Sequence, residues 1–381
     1  MEVLMLIFFL KVKLIGIKFK EAVSDFETAS LNKDFSFMLK KSLRIVFIFN
    51  LLTLTFSFNL NAQDNISEYY TTLNKANKLL YIEKDSISAL KQYLKAFNMA
   101  KNELSVVSPE ERLKAIRIAA SKKMFKVTEK LFLNAIQDGM NIENIRIYFR
   151  KENSLSYFSK TQHASNVFNK YSALRKKYNT QIDKDFEYQL HILLNQDFFV
   201  RNLSSVPNIN NYIPQEKYKD FNGLIISYSD CDIRQRLLEL IKNKNLDKRL
   251  KDNRAIGVFT LLMLHNFRNF ETNSRVQQCS DTLNYNKFQP ILKMMLKVGK
   301  LEAIEYAYLI DRAHCWNNNS GNSYQIFGTL IEKVNGKNIL MCPIFDLKNV
   351  DKRRAEIYLP PLSDAAIIYN FELPQAYIKI R

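Results

Sequence analysis

No two of the eight glycines in this chain are closer than seven residues. That spacing forbids whole classes of phosphate chemistry. A dinucleotide fingerprint needs G-x-G, and a phosphate-cradling P-loop needs two glycines five apart before Lys-Ser/Thr, because only a bare backbone can approach the phosphates so closely. Neither fits anywhere in these 381 residues. The chain holds four histidines (His163, His191, His265 and His314) and no H-E-x-x-H, Cys-x-x-Cys or G-x-S-x-G. No metal site and no cofactor is therefore expected, and no motif spells out a reaction. With 47% hydrophobic and 25% charged residues the composition is globular, which excludes collagen-like, low-complexity and wholly disordered readings.

Residues 38–62 have the three parts of a secretory signal peptide. Lys40, Lys41 and Arg44 form a basic start, Ile45 to Phe58 an apolar centre, and Ala62 a small residue at the cleavage point before Gln63. The apolar stretch is short of the ~20 residues a membrane span needs. Export to the periplasm or beyond the cell is expected, with translation beginning at Met38, residues 1–37 lying outside the exported protein, and no transmembrane span in the mature chain. Asn61-Ala62-Gln63 resembles the end of signal peptides in secreted proteins of Bacteroidetes.

The formal net charge is +18, and residues 1–62 hold little of that excess. A basic protein suits anionic partners: a membrane surface, a polyanionic glycan or nucleic acid. The basic residues come in short clusters, Arg175-Lys176-Lys177, Lys242 to Lys251 and Lys352-Arg353-Arg354, without interleaved aromatics, so specific nucleic-acid binding is not expected. The four cysteines, Cys231, Cys279, Cys315 and Cys342, are too sparse for a disulfide scaffold. They permit three pairings, and at least two of them are expected to be lone buried thiols.

Residues 63–140 read as paired helices. Leu73, Ala76, Leu80, Ala89, Tyr93 and Ala96 recur at helical spacing, and the offsets resemble the tetratricopeptide pattern, in which small residues let two helices cross closely. Asp85 or Ser86 suits an N-cap. Ser108-Pro109-Glu110-Glu111 is a start signal and Gly139 a stop. Only about two repeats are visible and at least three are usual, so these helices are expected to pack on the C-terminal remainder of the chain. Connecting helices fill 141–204, a loop rich in Asn and Pro is expected over 205–223, and a helical domain over 224–381. Ile256 to Leu264 is apolar on every side, the pattern of a buried helix, and Phe288, Ile291, Leu292, Met295 and Leu296 make a stripe on another.

Near the C-terminus the period changes from helical to alternating. Tyr324–Val334 and Lys337–Ile344 flank Asn335-Gly336, the strongest short hairpin signal, since both turn residues must take positive φ. A two-residue turn places Lys333 opposite Asn338, Ile331 opposite Leu340 and Thr329 opposite Cys342. A last helix is expected over Val350–Tyr358, capped by Asp346 or Asn349. The fold class is thus mainly α: helical-repeat-like N-terminal helices packed on a helical domain with one C-terminal β-hairpin.

Asp311-Arg312, Gln325-Ile-Phe327-Gly328-Thr329, Pro343-Ile344-x-Asp346-x-x-x-Val350-Asp351-x-Arg353-Arg354 and Leu359-Pro360-Pro361-Leu362, taken in order, resemble the bacterial "domain of unknown function 6624" family. The resemblance covers about 185–365 and takes in Asn195-Gln196-Asp197 with Arg201 and His265. It departs at Phe327, where the family has Tyr, and at Leu330, where it has Gln. The family has no established activity, so the resemblance implies a helical domain closed by a hairpin and a set of candidate residues.

Two readings of those residues stand side by side. In one, Asp311, Arg312, Asp351, Arg353 and Arg354 form a buried polar network that pins the hairpin and last helix to the core. In the other, Arg312, Arg353 and Arg354 surround an anionic ligand, with Gln325, Thr329 and Asp351 beside it. His265 is a core imidazole or, paired with Asp311 and Arg312, the base of a hydrolase-like envelope enzyme. The function expected first is a non-enzymatic binding module for a peptide, a protein or an anionic glycan.

Overall fold

The computed structural model describes residues 65–103, 107–202, 215–242, 253–266, 283–316 and 323–380. The expected leader at 38–62, residues 1–37, Cys279 and the segment 203–214 lie outside them. Residues 62–381 form one compact unit. It is mainly helical, with one two-stranded antiparallel hairpin near its C-terminus. Among the described residues no helix is long and apolar enough to cross a membrane.

The N-terminal half is built of helices in antiparallel pairs. Helix α1 (65–81) turns into α2 (Ser86–Glu103), and α3 (Pro109–Ser121) into α4 (Phe125–Gln137). Asp85 caps α2 by accepting the Ser88 N–H at 3.0 Å, and the Ser108 hydroxyl caps α3 by accepting from Glu111. Ala76, Ala89, Tyr93 and Ala96 are fully buried, so the small residues sit where the helices approach one another. After α5 (Ile142–Lys151), α6 (Gln162–Asn179) lies along α4. Phe149 presents its edge to Phe132, Phe158 and Phe168 and locks this region together.

Helix α7 (Lys184–Arg201) packs on α8 (Gln215–Lys242), and α9 (Asn253–Asn266) packs on both. The loop expected over 205–223 therefore ends early, because helical conformation begins at Gln215, directly after Pro214. Proline suits the approach to a helix, and the single Gly223 inside it does not stop a helix of 28 residues. Helix α10 (Leu283–Lys297) buries Phe288, Leu292, Met295 and Leu296, and α11 (Ala303–Trp316) lies against both α9 and α10.

One apolar core runs from Ile66 in α1 to Leu359 near the C-terminus. The Tyr70 ring stacks on Tyr358 at 5.3 Å, and the Asn74 side chain donates to the Tyr358 carbonyl at 2.8 Å. The backbone N–H of Ala303 donates to the Tyr70 hydroxyl at 3.2 Å. The repeat-like helices are thus packed on the C-terminal part.

The hairpin consists of β1 (Ile331–Val334) and β2 (Lys337–Leu340), with Lys333 opposite Asn338 and Ile331 opposite Leu340 as expected. Asn335 (φ 50°) and Gly336 (φ 81°) form its turn. The strands are shorter than the alternation suggested, and Thr329 lies outside them. Residues 325–330 fold into a tight loop because their N–H groups are claimed by a side chain, Asp311, before a neighbouring strand can take them. Helix α12 (Val350–Glu356) stops before Tyr358, whose φ of 65° cannot continue it. It has no side-chain cap, because Asp346 accepts instead from Asn349 and Arg353. The chain closes with α13 (Leu362–Tyr369) and α14 (Gln375–Ile380).

The expectation of lone thiols is overturned. Cys315 and Cys342 form a disulfide, Cys231 is disulfide-bonded as well, and no described cysteine is free. Cys315 ends α11 where that helix abuts the base of the hairpin, which brings the two Cα atoms within 6.1 Å, inside bonding range.

Candidate functional site

The structure gathers most of the C-terminal candidates into a knot around Asp311. Its Oδ1 accepts from the backbone N–H of Ile326 (2.6 Å) and Phe327 (2.7 Å). Its Oδ2 accepts from the Thr329 N–H (2.8 Å) and hydroxyl (2.7 Å). Burial pushes the Asp311 carboxyl up, and these four donors pull against it. Gln325, also fully buried, mimics a strand edge: its oxygen accepts from the Leu330 N–H, and its nitrogen donates to the Leu330 and Cys342 carbonyls. Gly328, at φ 72°, lets the loop double back, and a Cβ there would lie 2.7 Å from Ile344.

Arg353 and Arg354 are committed largely to backbone. Arg354, 1% exposed, donates to the Pro360 carbonyl at 2.7 Å and the Phe327 carbonyl at 2.6 Å. Arg353 donates to the carbonyls of Ile326, Phe345 and Asp346 and to the Asp346 carboxylate. Arg312 is buried, with Tyr308 accepting at 3.3 Å. Asp351 accepts from the Leu362 N–H at 2.8 Å and the Tyr377 hydroxyl at 2.7 Å.

Of the network reading, Asp311, Asp351, Arg353 and Arg354 do pin the hairpin and last helices to the core, mostly through backbone groups rather than through one another. A buried guanidinium bonded to carbonyls cannot turn to an outside anion, so Arg354, Gln325 and Asp311 belong to the scaffold. The pairing of His265 with Asp311 is corrected as well.

His265 meets Asp197 on α7, 68 residues away in sequence. The Nδ1···Oδ2 distance is 2.5 Å. The other Asp197 oxygen accepts from Arg201 Nε at 2.8 Å, and Arg201 Nη2 donates to Asp230 at 2.7 Å. Arg234, buried on α8, donates to the Asp230 carbonyl. Burial acts to raise the Asp197 pKa, but His265 and Arg201 outweigh it and hold the carboxyl below its ordinary value. Asp230 is pushed up to about 6 by burial, against the pull of Arg201. Asp197 orients the His265 ring through Nδ1 and leaves Nε2 turned away from it, the arrangement of an oriented base. The resemblance had singled out Asp197, Arg201 and His265. Asp230 and Arg234 were missed, and the one signal for them is their i, i+4 spacing on a helix.

A second feature lies on the surface where α6 turns into α7. Arg175, Lys176 and Lys184, with Tyr171 and Asn179, line an open hollow of about 450 Å³. Arg175 is fixed by the Gly139 carbonyl (2.8 Å) and by the Tyr178 ring beneath it (4.3 Å). The cluster at 175–177 was visible in the sequence; its union with Lys184 was not. Among the described residues no group of three or more His, Cys, Asp or Glu is placed to hold a metal ion. No family model, curated protein or solved structure matches the chain.

Proposed function

We propose that this chain is an exported helical binding protein for an anionic partner, which docks in the hollow between α6 and α7. The observation that carries the reading is the fixed Arg175 guanidinium flanked by Lys176 and Lys184 in a concave surface. A planar cation held by a carbonyl and an aromatic face is ready for a carboxylate or sulfate, and the two flexible lysines can close on it. The Cys315–Cys342 disulfide supports export, since such bonds persist in oxidising compartments. The proposal keeps the resemblance of 185–365 to the "domain of unknown function 6624" family. Most of its C-terminal motif residues build the knot around Asp311, which supports a shared scaffold more than a shared reaction.

Calorimetric titration tests this with two probes, a heparin fragment and a polyglutamate peptide, so that glycan and acidic peptide are told apart. Binding should weaken at least about tenfold in the variant Lys176→Glu/Lys184→Glu and fall with added salt. Unchanged affinity in that variant, or no heat from either probe, would sink the reading.

A second reading is favoured by the Asp197–His265 pair: an envelope hydrolase with His265 as base, without Asp311 and Arg312 as its partners. Turnover of model esters or phosphoesters, lost in His265→Ala, would support it. Rates equal to the buffer blank would end it.

A further inference from the structure

A cavity of about 100 Å³ lies where α1 meets the starts of α3, α9 and α11. Tyr69 and Tyr70 form its aromatic wall and Glu302 and Glu305 its acidic one. Gly257 lines its mouth and is exposed, and a Cβ at that position would meet nothing within 4 Å. Tyr69 is 3% exposed; the Ser108 backbone reaches its oxygen, and no acceptor for its proton is present among the described residues. The largest charges acting on Glu302 are those of Glu305, Glu111 and Glu110, all of one sign, and the Ser108 hydroxyl donates to it. Glu110 and Glu111 have Lys114 as a partner. Lys300 shares the cavity wall.

We propose that this cavity binds a small organic cation, a primary ammonium about the size of butylammonium, held by Glu302 and Glu305 against the rings of Tyr69 and Tyr70. Three features point the same way. Two carboxyls in an enclosed place attract a cation more strongly than they would in water. Tyrosine faces favour an organic ammonium over a hydrated metal ion. The volume accommodates a few heavy atoms; a cavity of about 150 Å³ takes up benzene.

The proposal carries a proton signature. Burial, and then the Glu305 charge, push Glu302 up to about 8, and burial raises Glu305 too. A bound cation favours the carboxylate, so binding below that value expels a proton and tightens as the pH rises towards it. Tyr69 and Tyr70 stay neutral throughout, because burial raises both.

The experiment is calorimetric titration with n-butylammonium chloride at constant ionic strength, in two buffers of different ionisation enthalpy. Affinity should rise by up to about tenfold per pH unit between about pH 6 and pH 8, with up to one proton released. Glu302→Gln should reduce proton release and weaken binding at least about tenfold. Gly257→Leu, a helical position with open space beside it, should fill the mouth of the cavity and abolish the heat while leaving the melting temperature unchanged or higher. No heat at pH 8, a pH-independent affinity, binding that survives Gly257→Leu, or magnesium chloride displacing the amine would each overturn the proposal.

Discussion

Asp311 shows how one carboxylate can hold a loop without a hydrogen-bonded cation. Its four donors come from three residues of one segment, Ile326, Phe327 and Thr329, so removing it orphans a cluster of backbone N–H groups at once. Each buried, unsatisfied donor costs about 1–3 kcal/mol, and water can recover part of that. Asp311→Ala should therefore lower unfolding stability by about 3–5 kcal/mol in urea, and Asp311→Asn, which keeps one acceptor oxygen, by less. A loss below about 1 kcal/mol for the alanine variant would mean the loop does not depend on it. That Asp311 mattered was legible from Asp311-Arg312 at the end of an apolar helix. That its partners would be N–H groups was not, since a sequence states which charges exist but not which backbone groups lack a strand neighbour.

At the level of elements, local chemistry was decisive wherever the partners are close in sequence. The Asp85 and Ser108 caps bond three residues ahead, and Asn335-Gly336 sets the register of β1 and β2 through its own backbone angles. The alternating run 324–330 failed as a strand because its best partner lies on α11. The disulfide belongs to the same junction. It closes a loop with a sequence separation of 27 and ties the end of α11 to the hairpin base. A loop of that size corresponds to about 3–4 kcal/mol in the chain-entropy account. Cys315→Ala/Cys342→Ala should thus melt several degrees lower while keeping its far-ultraviolet helical signal. Equal melting of the variant and the oxidised protein would show that the bond contributes nothing.

For the whole molecule the decisive contact is between α1 and the chain's far end. Tyr70 stacks on Tyr358 and accepts the Ala303 N–H, and both parts share one core, so neither should unfold alone. One cooperative transition is expected by far- and near-ultraviolet circular dichroism, and Tyr70→Ala should shift it by about 3–5 kcal/mol without splitting it. Two separated transitions would mean the repeat-like helices stand apart from the rest. The sequence by itself determined most of the helices, the caps of α2 and α3, the hairpin turn and the mainly α class, because periodicity and turn chemistry act over a few residues. Only the tertiary structure decided that His265 faces Asp197 rather than Asp311, that Arg353 and Arg354 are bound to carbonyls, that Lys184 joins Arg175, and that Glu302 and Glu305 share a cavity with Tyr69. Most of those pairings join elements distant in the chain, as Asp197 with His265 and Arg354 with Phe327 do. Which polar groups meet there depends on how apolar faces pack, and spacing along the sequence carries no record of that.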